Sequence, residues 1–118
     1  MNNWDLMKES VTRCNNPKYD RLCNLSKRQV DLWHGLTGLC SETGELADTV
    51  KKTLIYGQCV DIKNIKEELG DLFWYMELIM QALNIDVNEV IKGNHSKLKI
   101  RYPEKFTEEL VKERKDKK

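Results

Sequence analysis

The chain has 118 residues, and its 20 basic and 19 acidic side chains leave a formal charge of +1, too little for a protein that coats nucleic acid by electrostatics. At this length one domain is expected, and 40% hydrophobic with 33% charged residues is a globular composition, above the disordered regime. No apolar run reaches the roughly 20 residues of a membrane span, and Met1 to Asp5 lacks the basic and apolar regions of a signal peptide, so a cytoplasmic protein without a membrane partner is expected. Cys14, Cys23, Cys40 and Cys59 form neither a C-x-x-C pair nor a zinc pattern with histidine, which leaves free thiols.

Apolar residues recur at helical spacing and nowhere alternate as strands do, which predicts an all-α fold, a bundle of about four helices. Trp4, Leu6, Met7 and Val11 mark a short first helix that Asn15-Asn16-Pro17 should end, and Tyr19 to Leu25 reads as a connector. Ser26 is placed to cap a long second helix in which Leu32, Leu36, Leu39, Thr43, Leu46, Val50 and Leu54 form one stripe, with Gly57 as its stop. A third helix is predicted over 62–83, with Ile62, Ile65, Leu69, Leu72, Phe73, Met76, Met80 and Leu83 as its stripe and Asn84 as its end. Asp86 or Asn88 caps a fourth, whose Val87, Val90, Ile91 and Leu98 give it a core face before Tyr102-Pro103. Phe106 and Leu110 can pack a final turn, whereas Lys112 to Lys118 has no apolar residue and reads as a frayed tail.

The informative pattern is a repeated spacing of acids. Glu42 and Glu45 lie i,i+3 on the second predicted helix, and Glu68 and Asp71 lie i,i+3 on the third. Each pair projects from one face at the margin of an apolar stripe, so antiparallel packing of the two helices would gather all four. Like charges packed together must protonate or recruit a cation, and a set of hard oxygen ligands without His or Cys suits Mg²⁺, with Mn²⁺ as a substitute. The bland alternative is four solvated surface acids. Gly35, Gly38, Gly44 and Gly70 weigh against it, because glycine inside a helix costs about 1 kcal/mol and points to close approach of a helix or ligand. Downstream, Asn94, Lys97 and Arg101 share one face of the fourth helix, a donor set fit for phosphate oxygens, and together with a metal cage they point to a nucleoside triphosphate. No P-loop motif is present.

Three segments in order, Gly38-Leu39-Cys40-Ser41-Glu42-Thr43-Gly44-Glu45-Leu46, Glu67-Glu68-Leu69-Gly70-Asp71, and Asn94 with Lys97-Leu98-Lys99-Ile100-Arg101-Tyr102-Pro103, resemble the MazG-like all-α nucleoside triphosphate pyrophosphohydrolases, particularly the short single-domain forms common in phages. The likeness spans roughly His34 to Phe106, and Trp33 departs from the small or aliphatic residue expected beside it. The resemblance implies hydrolysis of a (d)NTP between its α and β phosphorus to a (d)NMP and pyrophosphate. It further implies Glu42, Glu45, Glu68 and Asp71 as metal-binding acids, and Lys51 or Lys52, Asn94, Lys97, Arg101 and Tyr102 as phosphate-side positions. The organisation read from it is an N-terminal helix and connector over 1–25, a catalytic helical unit over 26–106 and a charged tail over 107–118, all in one structural domain. If the source is viral, the compartment is the host cytoplasm.

In such a site Mg²⁺ would neutralise phosphates and orient a water for in-line attack, with Glu42 or Glu45 as the catalytic proton acceptor. Trp33, His34, Trp74 and Tyr75 form a candidate base pocket, against the alternative that they are core. Two other classes stay open: a non-catalytic nucleotide-binding or helical interaction module, and a carboxylate-bridged di-iron bundle, although neither acidic pair carries the His such sites use. Two apolar stripes this long exceed what one short chain can cover. An obligate homo-oligomer, a dimer or tetramer, is expected, with its sites near the subunit interface.

Overall fold

The computed structural model of the chain describes residues 2–15 and 20–117. Asn16 and Pro17 of the expected helix stop, Tyr19 of the expected connector and Lys118 of the tail lie outside them. Among the described residues all regular structure is helical: α1 (Asn3–Cys14), α2 (Asp20–Cys23), α3 (Lys27–Leu54), α4 (Ile62–Leu83), α5 (Val87–Arg101), α6 (Glu108–Glu113) and a final 3-10 turn at Lys115–Lys117. The short α2 lies within the stretch expected to be a plain connector. All four cysteines are free and exposed, and among the described residues no helix is long and apolar enough to cross a membrane.

Local chemistry sets the helix ends. Ser26 Oγ accepts from the Gln29 backbone N–H at 3.1 Å while Gln29 Oε1 accepts from the Ser26 N–H at 2.8 Å, a reciprocal box that opens α3. Gly57, at φ 69°, turns the chain after that helix. Asp61 caps α4 by accepting from the Asn64 N–H at 3.0 Å, and Asn84 ends it in the left-handed region at φ 54°. Of the two candidate caps for α5 the chain uses Asp86, which accepts from the Asn88 N–H at 2.9 Å.

The extensive helix pairing is that of α3 with α4, an antiparallel hairpin, while α5 meets α6 and the C-terminal turn. Its register can be followed residue by residue: Gly35 meets Ile79, Gly38 meets Tyr75, Glu42 meets Asp71, Glu45 meets Glu68 and Thr49 meets Asn64. A Cβ at Gly38 would overlap the Tyr75 ring, and one at Gly35 would lie 3.2 Å from the Tyr75 carbonyl oxygen, so glycine is what admits α4 this closely. Gly44 and Gly70 face open space, so no neighbouring helix approaches closely there within the single chain.

This register corrects the expected core. On α3 the buried residues are Gly35, Gly38 and Thr49, not the leucine stripe, from which Leu36 is 57% and Leu54 75% exposed. On α5 the expected core face of Val87, Val90, Ile91 and Leu98 is exposed. The reason is geometric: small residues and acids take the closest part of the α3–α4 seam, so the apolar stripes straddle its edge, with Leu39, Leu46, Ile65 and Leu72 half-buried and Leu36, Leu54, Leu69 and Phe73 exposed. Phe73, Met76, Ile79, Met80, Ile85, Val87, Val90 and Ile91 line an open groove of about 640 Å³. No hydrophobic residue among those described is fully buried. The radius of gyration is 20.5 Å, against about 13 to 14 Å for a compact chain of this length. Accessible surface is 10198 Å², against roughly 6,700 Å² for a folded monomer of this mass. One chain is therefore a hairpin with appended helices, and the expected four-helix bundle is not completed within it.

The C-terminal tail also differs from expectation. It folds back on α5, where Arg101 Nε and Nη2 donate to the two carboxylate oxygens of Asp116 at 3.0 and 2.9 Å, with Asp116's side chain 7% exposed. A fork against a carboxylate is directional enough to hold a segment that has no apolar anchor. Arg101 holds Asp116 below its ordinary 3.8, so this tether is present above that value and fades only as acid carries the pH down through the lowered one. Asp116→Ala is expected to speed tryptic cleavage after Arg114 and Lys115 about tenfold at neutral pH. Equal cleavage of both proteins would show that the ion pair does not hold the tail.

Candidate metal centre

The site is built on the middle of the α3–α4 seam. The i,i+3 spacing sets Glu42 and Glu45 on one face of α3, and the same spacing sets Glu68 and Asp71 on one face of α4. Pairing the faces brings carboxylate oxygens of Glu42, Glu68 and Asp71 within 4.8 Å of one another. Glu45 stands beside Glu68 and adds a fourth negative group. Glu68 is buried and Glu42 half-buried. Glu42 Oε2 and Glu68 Oε2 are withdrawn from solvent with no hydrogen-bond partner. Two orphaned carboxylate oxygens in one cluster are what a hard cation satisfies, and an all-oxygen donor set fits Mg²⁺ or Mn²⁺.

Without a cation the cluster holds a proton up to about pH 7. Glu42 can accept a hydrogen bond from protonated Glu68 but offers nothing to its anion; with burial and the charge of Glu45 adding to this, Glu68 is pushed up from 4.5 to about 7. The folded chain therefore keeps a proton that the unfolded chain has already lost. Stability of the metal-free protein falls as pH rises from about 4.5 to about 7 and is fully lost from this group above that range. A divalent ion must displace the proton, so its affinity is expected to rise about tenfold per pH unit up to about pH 7 and then level off. Mn²⁺ titrations in buffers of differing ionisation enthalpy check this, and an affinity flat from pH 5 to 8 would contradict it.

Beside the acids lies an aromatic trio. His34 and Trp74 are 6.1 Å apart between ring centroids, His34 and Tyr75 5.7 Å, and Trp74 and Tyr75 5.1 Å, all edge to face. Trp74 and Tyr75 share with Glu42 and Asp71 a recess of about 300 Å³, so an aromatic wall and a carboxylate cluster open into one cavity. Trp33, 61% exposed, takes no part in the trio.

The expected phosphate-side residues are more scattered. Lys51 and Lys52 lie at 3.6 and 3.4 Å from Asp48 on the surface of α3, with Lys51 also 6.0 Å from the Tyr56 ring centroid. On α5, Asn94 is exposed and Lys97 half-buried. Arg101 is taken by Asp116, and the Tyr102 ring packs on Phe106 at 5.3 Å. Among the described residues no hydrogen bond or ion pair joins this group to the carboxylates. Sequence reasoning missed Asp116, which no local signal marks, and the buried Thr49–Asn64 contact, which the register itself announces: it is the next pair along from Glu45 and Glu68.

An all-α hairpin with four acids across its seam and an aromatic recess beside them is a helical scaffold with a carboxylate-centred candidate metal site. The profile of the MazG nucleotide pyrophosphohydrolase domain matches residues 34–106, more than half of the chain and all of this seam, and the chain belongs to that family. Proteins of the family use a divalent metal. Curated proteins and solved structures return no match.

Proposed function

We propose that the chain is a Mg²⁺-dependent nucleoside triphosphate pyrophosphohydrolase that cleaves (d)NTP to (d)NMP and pyrophosphate. The observation that carries this reading is the cluster of Glu42, Glu68 and Asp71 with its two orphaned oxygens, opening into the same recess as Trp74 and Tyr75, inside a family match. Glu42, Glu45, Glu68 and Asp71 would hold the metal, which supplies charge neutralisation at the phosphates and an oriented water. Glu42 or Glu45, whichever is left with a free oxygen, takes the proton of that water. His34, Trp74 and Tyr75 would give the base a surface to stack on, while Lys51 or Lys52 on α3, Asn94, Lys97 and Tyr102, and Arg101 once released from Asp116, would supply donors to the phosphate chain. The catalytic unit is 26–106, flanked by 1–25 and the tail 107–118, in one structural domain within a cytoplasm. The excess surface and the open apolar groove support a homo-oligomer, a dimer or tetramer.

The test is a panel of standard and modified deoxynucleotide and ribonucleotide triphosphates, assayed with Mg²⁺ and with excess chelator for pyrophosphate and monophosphate. Equimolar release of the two products, abolished by chelator, is expected. Nucleotide binding without turnover across the panel would make the chain a binding module, and orthophosphate as the first product would assign another reaction.

A further inference from the structure

We propose that Thr49 and Asn64 are positioning residues for the carboxylate cluster: one hydrogen bond between them holds α3 and α4 at the register in which Glu45 faces Glu68 and Glu42 faces Asp71. The proposal rests on reading that cluster as a metal site.

Asn64 Nδ2 donates to Thr49 Oγ1 at 2.6 Å, and Thr49 Oγ1 donates to the Glu45 carbonyl oxygen at 3.2 Å. The Asn64 backbone N–H is itself held by the Asp61 cap at 3.0 Å. A continuous run of hydrogen bonds therefore links the start of α4 to the backbone of Glu45. Thr49 is buried at 7% exposure and Asn64 is half-buried, so the bond is largely shielded from water, and losing the Thr49 hydroxyl leaves the Asn64 amide without its partner. Outside the acid cluster, the described residues show no other side-chain hydrogen bond that crosses between α3 and α4.

Its position gives it a role beyond cohesion. Thr49 lies one helical turn after Glu45, and Asn64 one turn before Glu68, on the faces that meet. Half-buried side chains such as Leu46, Ile65 and Leu72 tolerate sliding, and repulsion among the acids drives it. A one-turn slip moves a helix by about 5.4 Å, more than the 4.8 Å within which the candidate ligand atoms gather. On the other side of the acids, Gly38 receives the Tyr75 ring and blocks sliding by shape. The cluster is thus bracketed by a steric notch at one end and a directional bond at the other.

Thr49→Val keeps the shape and branch while removing the hydroxyl, Thr49→Ser keeps the hydroxyl, and Asn64→Leu removes the donor. Mn²⁺ binding to the full chain is read by electron paramagnetic resonance without nucleotide, well below the melting temperature and with helix content checked by circular dichroism. Thr49→Val and Asn64→Leu are expected to weaken Mn²⁺ binding about tenfold or more, and Thr49→Ser by less than about twofold. The double variant Thr49→Val/Asn64→Leu should be no worse than the weaker single, because both serve one bond. Folded variants with lowered melting temperatures but unchanged Mn²⁺ affinity would overturn the positioning role alone. A wild-type chain that binds no Mn²⁺ would overturn the metal reading and the proposal with it.

Discussion

Glu68→Gln is expected to reduce pyrophosphate release on the order of a thousandfold while raising the melting temperature of the metal-free protein at pH 8. The two effects have one cause. Glu68 is the most buried of the acids, and its carboxylate sits against Glu42 and Glu45 with Oε2 unpartnered. At pH 8, above its raised value of about 7, the metal-free chain must carry that charge uncompensated. Glutamine has the same shape, no charge, and an amide that can donate to Glu42, so the strain disappears. On the proposed reading, the same change would remove one of the charges that hold the cation. Asp71→Asn and Glu45→Gln should also lose activity, with a smaller gain in stability, because both are more exposed. Near-normal turnover in all three variants, or full activity in excess chelator, would sink the metal-dependent reading. Loss of activity with a lowered melting temperature in Glu68→Gln would mean that Glu68 holds the hairpin together instead.

Phe73→Asp is expected to dissociate the assembly by at least about a hundredfold in Kd. Phe73 is 67% exposed in the single chain, and a substitution at so open a site in a true monomer shifts stability by about 0.5 kcal/mol or less. The neighbourhood argues otherwise. Phe73 lines the apolar groove between α4 and α5, the described residues include no fully buried hydrophobic side chain, and the chain exposes far more surface than a folded monomer of 13.9 kDa should. A buried aspartate with no partner would cost several kcal/mol at such an interface, on the order of 3 kcal/mol. Sedimentation equilibrium at micromolar concentration reads the result. A wild-type chain that sediments as a stable, folded 13.9 kDa monomer would refute the oligomer, and an unchanged mass in Phe73→Asp would place the interface elsewhere.

Helix ends and the acid spacing were legible without coordinates because they are set within a few residues. Ser26 caps α3 across one turn, Asp86 caps α5 by the same short reach, and Asn84 adopts the left-handed turn that its type tolerates. The i,i+3 acids share a face by helix geometry alone, whatever packs against them. The apolar stripes misled for a related reason. Periodicity shows that a face is apolar but not which surface covers it, and in this chain the most buried positions of the α3–α4 seam are glycine, threonine and Glu68, with Leu39, Leu46 and Leu72 only half-buried and Leu36 and Leu54 exposed.

What the sequence determined by itself is therefore local: five helical segments, the cap at Ser26, the choice of Asp86 or Asn88, the stop at Asn84, and two pairs of acids each aimed from one face. Only the tertiary structure decided the register, Glu42 on Asp71 and Glu45 on Glu68, and with it the Thr49–Asn64 bond, the entry of the Tyr75 ring at Gly38 and the return of Asp116 to Arg101. These are contacts between residues far apart along the chain, some of them between polar side chains. No periodic pattern records them, because a polar residue that will meet a distant partner looks, in its own segment, like one that will meet water.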